Sequence, residues 1–143
     1  MLSKFNLEID STGKTYNRFT TKILDKKIEK LGEGWTKSGR IFLYEIENYN
    51  KKLYFRLSIG PGNQDYRETL HKFCMENPNL FNVANRKMNP KWHAVMSKTL
   101  LSNNEYIGGD IEILKPKIEN NFAKFVSNEM KEIDQYFEEK WTG

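Results

Sequence analysis

The chain has little cysteine, since Cys74 is the single thiol among its 143 residues. One thiol cannot form a disulfide within the chain, so the composition favours a reducing compartment, and we expect a cytoplasmic protein. No run of apolar residues approaches the roughly 18–20 needed to cross a bilayer, and the first residues lack the apolar stretch of a signal peptide. These absences predict a protein without a membrane partner.

Histidine is also scarce, and this limits metal chemistry. His71 and His93 are the two imidazoles, and Cys74 lies three positions after His71. A helical His71-x-x-Cys74 pair offers two ligands, whereas structural zinc sites use four protein ligands and catalytic zinc sites use three. The glycine-rich and Walker patterns of nucleotide-binding loops are absent as well. The sequence therefore predicts no metal site and no cofactor.

No complete catalytic motif is present, so we expect a protein that is not an enzyme. Restriction-type nucleases bind a divalent metal with an Asp and a Glu-x-Lys triplet on adjacent strands. Glu45 and Glu47 fall on one face of a predicted strand, but no lysine follows in the required place. A reduced nuclease that uses Glu45, Glu47 and Asp65 is the alternative. On the favoured interpretation the two glutamates pair on a solvated strand face with Lys51, Lys52 or Arg56.

Charge is unevenly distributed along the chain. Residues 1–100 carry 18 Lys and Arg against 10 Asp and Glu, whereas residues 101–143 carry 5 against 9, which together give the net charge of +4. If the basic residues 1–100 and the acidic residues 101–143 lie on different faces, the protein has one positively and one negatively charged side. Such a surface gives solubility, and its basic side is also suited to a polyanion.

The spacing of apolar residues predicts a single domain over residues 1–143. Its elements are a helix over residues 15–31, strands over 40–49 and 51–59, a helix over 64–77, a strand over 92–101 and a helix over 116–141. Residues 48–50 are the predicted hairpin turn, and residues 102–110 are a predicted loop. This α-β-β-α-β-α order predicts an α+β fold, with a small antiparallel sheet and helices packed on one of its faces.

Two of these elements have especially regular patterns. Leu53, Phe55 and Leu57 alternate with polar or half-polar residues, as in a strand with one buried face. The last helix keeps an apolar stripe at helical spacing from Ile118 to Trp141, and its residue Pro116 fits a first helical turn.

Residues 86–93 carry the best candidate binding site. Basic residues surround an aromatic side chain there, and the site consists of Arg86, Lys87, Lys91, Trp92 and His93. Arginine and lysine neutralise phosphates, and tryptophan stacks on nucleic-acid bases. Burial of Trp92 in the core is an equally weighted alternative. The turn at residues 60–63 joins a strand to a helix and is interpreted as a plain turn, in preference to a phosphate-binding loop.

One resemblance adds to this interpretation. Residues 53–62, with the sequence Leu-Tyr-Phe-Arg-Leu-Ser-Ile-Gly-Pro-Gly, are followed by Arg67, by Asn85-Arg86 and by residues 91–98. With the final amphipathic helix, this pattern resembles the C-terminal portion of some bacterial proteins of the PD-(D/E)XK nuclease superfamily. The resemblance covers residues 35–141, about three-quarters of the chain. It implies an accessory or recognition domain without the nuclease core, so no active-site residue carries over.

These observations predict a non-catalytic binding module that contacts nucleic acid or a nucleic-acid-processing assembly, for example as a defence-associated accessory domain. The alternative is a small phage or bacterial inhibitor or adaptor, whose partner is a host or defence protein. Small size and the absence of catalytic motifs favour this second hypothesis.

Overall fold

The computed structural model describes residues 5–13, 15–49, 52–101 and 111–143. In these residues the chain forms β1 (Glu8–Thr12), β2 (Tyr16–Thr20), α1 (Lys22–Lys27), β3 (Phe42–Tyr49), β4 (Lys52–Ile59), α2 (Gln64–Met75), β5 (His93–Leu101), α3 (Ile111–Phe125), a π-helical segment (Val126–Met130) and α4 (Lys131–Lys140). The predicted α+β class is confirmed. The predicted turn at residues 48–50 and loop at 102–110 lie wholly or partly outside the described residues.

The five strands pair in sequence order, so the sheet is a fully antiparallel meander with β1 and β5 at its edges. Strands β3 and β4 form the predicted hairpin over eight residue pairs, from Phe42 opposite Ile59 to Tyr49 opposite Lys52. Register shifts in β4–β5 near Leu53 and Leu57 bend the β5 edge.

One face of the sheet forms the core with the helices. Phe19, Tyr44 and Phe55 belong to adjacent strands on this face, and all three are buried. The Phe125 ring of α3 lies 4.0 Å from the Phe55 ring, so the C-terminal helix crosses the middle of the sheet. Helix α2 joins this layer through Phe73, whose ring is 4.8 Å from that of Phe137. The helices therefore cover one face, as predicted.

The N-terminal third differs from the predicted helix over residues 15–31. Residues 16–20 form strand β2 instead, and the helix in this region is limited to Lys22–Lys27. Thr21 is its N-cap, since its hydroxyl accepts a hydrogen bond from the Leu24 amide at 3.1 Å. Strand β1 was not predicted either. Two strands thus precede a shortened first helix, and the rest of the predicted α-β-β-α-β-α order follows it.

The C-terminal helix begins earlier than predicted and has an irregular middle. It starts at Ile111, so Pro116 lies in its interior and not in its first turn. Pro116 has no amide hydrogen, and one helical hydrogen bond is absent there. The π-helical segment separates α3 from α4, which ends at Lys140, one residue before the predicted end. Phe122, Phe125, Met130, Ile133 and Phe137 are all buried, in agreement with the predicted apolar stripe.

The connection from α2 to β5 covers the outer edge of β5. The Asn82 amide group donates to the carbonyl oxygen of Ser97 and accepts from its amide, each at 3.1 Å. The Val83 amide donates to the carbonyl of Val95 at 3.2 Å. Phe81 and Ala84 anchor the same segment in the core. This edge is therefore closed to further strand pairing over residues 95–97.

Candidate nucleic-acid interface

The end of this connection, residues 86–92, is a loop that one buried arginine holds in place. The Arg67 side chain extends from α2, is 1% exposed, and uses all five of its guanidinium hydrogens. Nε donates to Gly60 O at 2.7 Å, while Nη2 donates to Asn89 O at 2.9 Å and Lys91 O at 3.1 Å. Nη1 donates to Pro90 O at 3.1 Å and to Gln64 Oε1 at 3.4 Å. Three consecutive loop carbonyls thus converge on one cation.

The amide groups of the loop are also satisfied internally. The Lys91 amide donates to the Asn89 side-chain oxygen at 3.1 Å, and the Asn89 amide donates to His93 Nδ1 at 3.2 Å. Pro90 has no amide hydrogen. The backbone of residues 89–91 therefore has no donor left for a ligand, and recognition by this loop depends on side chains.

His93 has a structural role, in contrast to its predicted place among the binding residues. Its ring is 5% exposed and lies edge-on to the His71 ring, with the centroids 4.8 Å apart. Burial, followed by the nearby His71, lowers the pKa of His93, so its neutral form is favoured. Because Nδ1 accepts the Asn89 amide, the ring hydrogen lies on Nε2. His71 Nε2 donates to Ala84 O at 2.6 Å.

The other four predicted residues are exposed and lie on the loop or at its ends. Arg86, Lys87, Lys91 and Trp92 all face solvent. Trp92 is 48% exposed, whereas Trp141 is buried at the end of α4 and Trp35 packs on Gly60. The alternative of a core position for Trp92 is therefore wrong.

The three cations are exposed to solvent. The ion pairs found among the described residues join other side chains, and none of them includes Arg86, Lys87 or Lys91. Six peptide units separate Arg86 from Trp92, so the Cα atoms of the group lie within at most about 22 Å of one another. Exposed cations and an exposed indole on one short segment form a surface that suits a flexible polyanion with aromatic groups.

The strand glutamates form ion pairs on the second face of the sheet. Arg18 Nε donates to Glu45 Oε2 at 3.0 Å, and Arg56 pairs with Glu47. Both glutamates are buried beneath these arginines. The predicted pairing with Arg56 is confirmed for Glu47, while Arg18 is the partner that sequence reasoning did not identify. The prediction that the two glutamates lie on a solvated face is wrong, because both are buried. Asp65 lies in the first turn of α2 and is exposed.

Gly60 and Asn63 each have a structural role in the turn before α2. A side chain at Gly60 would lie 2.0 Å from the Trp35 ring, so only glycine fits beneath that ring. The Asn63 side chain caps α2 by accepting from the Tyr66 amide at 2.9 Å. These contacts agree with a plain strand-to-helix turn.

The remaining candidate ligands do not converge. Among the residues that the structure describes, no three His, Cys, Asp or Glu side chains come together as a group able to hold a metal ion. Cys74 is a free, buried thiol, and burial raises its pKa well above the usual value. Such a thiol is a poor nucleophile.

Arg67 is the residue of this site whose role sequence reasoning missed, although a signal was present. It lies three, four and seven positions before Leu70, His71 and Cys74, which places it on the buried face of α2. An arginine on an apolar helical face requires several acceptors, and loop carbonyls are a common source of them.

Comparison with known proteins identifies no relative. No family model, no curated protein and no solved structure matches the chain. The resemblance to the C-terminal portion of PD-(D/E)XK superfamily proteins therefore stays a prediction. Within the described residues, no helix is both long and apolar enough to cross a membrane.

Proposed function

We propose that this chain is a non-catalytic binding module whose exposed residues Arg86, Lys87, Lys91 and Trp92 contact nucleic acid. It acts alone or within a nucleic-acid-processing assembly, such as a cytoplasmic defence complex. The observation that carries the proposal is the pinned loop: Arg67 fixes the backbone of residues 89–91, yet the cations Arg86, Lys87 and Lys91 and the indole beside these residues are left to solvent.

Rigidity of the loop favours binding. Long cationic side chains lose rotamer freedom when they bind, and a fixed backbone removes the further loss that a mobile loop would suffer. Binding of phosphates releases condensed counterions, which makes the interaction sensitive to salt. The loop therefore combines a prepared backbone with side chains that suit a phosphate chain.

The salt dependence of affinity tests the proposal. Three phosphate contacts predict a slope of log K against log salt of about −2.7 on duplex DNA and about −2.1 on a single strand. Replacement of Arg86, Lys87 and Lys91 together by Ala should flatten that slope to near zero and weaken binding. Labelled oligonucleotides and fluorescence anisotropy at several salt concentrations give both quantities.

A charge-matched variant provides the control. Lys22, Lys26 and Lys30 are exposed and lie on or just after α1. Their replacement by Ala removes the same charge but leaves the loop intact, so the slope should stay near the wild-type value. If both triple variants lose affinity and salt slope to the same extent, the binding depends only on net charge, and the assignment of the site to the loop is wrong.

The second candidate function is an inhibitor or adaptor that binds a protein. Ile9 and Tyr16 favour it, because both are large, exposed side chains on the β1–β2 hairpin, with exposed fractions of 42% and 37%. Exposed aromatic side chains are enriched in protein interfaces. Loss of a protein partner in the Ile9→Glu, Tyr16→Ala double variant, with the partner retained by the loop triple variant, would favour this function over nucleic-acid binding.

A further inference from the structure

We infer that the ligand of the loop is a single-stranded nucleic acid, one of whose unpaired bases stacks on the Trp92 ring. This inference rests on the proposed function and specifies its substrate class. Three observations support it: Trp92 is exposed on a fixed backbone, the Asn89 and Lys91 amides are already bonded, and residues 86–92 form neither a helix nor a strand.

Trp92 has a fixed backbone on both sides and a half-exposed side chain. The carbonyl of the preceding Lys91 is fixed by Arg67, and the following His93 is buried at the start of β5. The backbone on both sides is thus fixed, while nearly half of the Trp92 side chain stays in solvent. An indole on a fixed backbone, with part of its surface free, offers a stacking platform, since every base has a face that can lie against it.

The loop is poorly suited to the two other anionic ligands that its charge would attract. Small phosphates are commonly bound by backbone amides in a nest or at a helix start, whereas here the Asn89 and Lys91 amides are already bonded. Duplex DNA is commonly read by a helix or a two-stranded ribbon in its major groove. Residues 86–92 form neither of these elements.

Base accessibility then separates single strands from duplexes. In a duplex the bases stack on each other, so an indole beside the backbone gains no stacking partner and only the three cations contribute. In a single strand, the phosphates contact Arg86, Lys87 and Lys91 while an unpaired base rests on Trp92. Trp92 thus makes binding stronger on single strands and leaves duplex binding unchanged.

The test compares Trp92→Ala and Trp92→Phe with wild type on two probes. The probes are a labelled thymidine single strand of about 20 nucleotides and a duplex of the same length, both at low salt. Trp92→Ala should weaken single-strand binding by about 5- to 150-fold, equivalent to about 1–3 kcal/mol for one stacked base. Trp92→Phe should restore most of the affinity, and duplex binding should stay the same in both variants.

Two further variants distinguish failure of the single-strand inference from failure of the proposed function. Tyr16→Ala removes another exposed aromatic side chain, outside the loop, and should change neither affinity. If Trp92→Ala weakens both probes equally, or neither, while the Arg86, Lys87 and Lys91 triple variant still loses binding, the single-strand inference is wrong and the proposed function stands. If the triple variant binds both probes like wild type, the proposed function is wrong as well.

Discussion

The ring of His93 meets the ring of His71 edge-on in the interior, with 4.8 Å between the centroids. Burial, then His71, and to a smaller extent Arg67 and Arg86 lower the pKa of His93, so a positive charge on its ring is disfavoured. His93 is therefore the residue through which acid should act on the binding loop.

Acid pH should destabilise the protein through His93. Its pKa in the folded state is lowered, so below the unfolded pKa of about 6.5 the unfolded chain binds a proton more readily than the folded chain. The contribution of His93 to stability is present above that pH and is lost as the pH falls. Urea unfolding at pH 7.5 and at pH 5 should show this loss in wild type, and a smaller loss in His93→Gln. An equal pH dependence in both would contradict it.

Asp134 should have the opposite effect. Its carboxylate accepts from the Thr21 hydroxyl at 2.6 Å, but burial raises the pKa of Asp134 to about 6. The folded state then keeps a proton that the unfolded chain releases near pH 4, so this stabilising contribution is lost as the pH rises from about 4 to 6.

Asp134→Asn isolates this effect, because the amide oxygen can still accept from Thr21. Since the carboxyl is partly exposed, wild type should lose at most about 2 kcal/mol relative to Asp134→Asn between pH 4 and pH 7. Parallel stability curves for the two proteins over this range would mean that Asp134 titrates as it does in the unfolded chain.

Arg67→Lys should release the binding loop. A lysine has three donors on one atom and cannot reach carbonyls on several sides as a guanidinium does. The buried Gly60 carbonyl and three part-buried loop carbonyls would lose their partners, and the free energy of unfolding should fall by about 2–4 kcal/mol. Hydrogen exchange provides a local measurement, because the Asn89 and Lys91 amides should exchange much faster than in wild type while the core of the sheet stays protected. Unchanged exchange at these two amides would show that the loop does not need the guanidinium.

Phe125→Ala should be strongly destabilising. The ring is fully buried and packs 4.0 Å from Phe55, so its loss leaves a cavity between α3 and the sheet. The free energy of unfolding should drop by about 3–5 kcal/mol. Ile9→Ala, at an exposed edge position, is the comparison and should change stability by less than about 0.5 kcal/mol. A drop of under 1 kcal/mol for Phe125→Ala would contradict the packing.

The purified protein should not cleave DNA or RNA in the presence of Mg²⁺ or Mn²⁺. Glu45 and Glu47, two carboxylates of the alternative nuclease hypothesis, are buried in ion pairs with Arg18 and Arg56, and the positive charge of these arginines competes with a metal ion. Incubation with plasmid and with single strands should leave both intact. Cleavage that disappears in Glu45→Gln or Glu47→Gln would overturn this prediction.

The spacing of apolar residues was enough to predict a helix or strand where one face of that element is buried along its whole length. Strand β4 alternates cleanly, and the C-terminal stripe is continuous, so both were predictable. In residues 15–31 the apolar spacing matched a helix, but pairing with β3 places Phe19 on the core face of a strand. Pairing with the neighbouring strand therefore outweighed the local helical pattern of this segment. Thr21 was the available signal, because a threonine cap marks a helix that begins after it.

The exposed residues of the candidate site were predictable for a similar reason, since the sequence alone identifies clustered cations and an aromatic side chain, whereas nucleic-acid binding by them stays a prediction. The parts that fix the loop were not, because they depend on contacts between residues far apart in sequence. Arg67 reaches carbonyls 22–24 positions away, and His93 exchanged its predicted surface role for an interior one when β5 paired with β4.

The π-helical segment Val126–Met130 sets the phase between the two halves of the C-terminal helix. Phe125 and Met130 are both buried although five positions separate them, a spacing that an ordinary helical turn does not provide. The wide turn takes up one residue more than an α-helical turn does, so deletion of a single residue within it would let an α-helix run straight through while Ile133, Phe137 and Trp141 keep their core face. Deletion of a single residue at the start of α4 would instead rotate everything after it by about 100° and take these side chains out of the core. The π-helical segment is therefore the place where this helix can absorb a change of one residue in length.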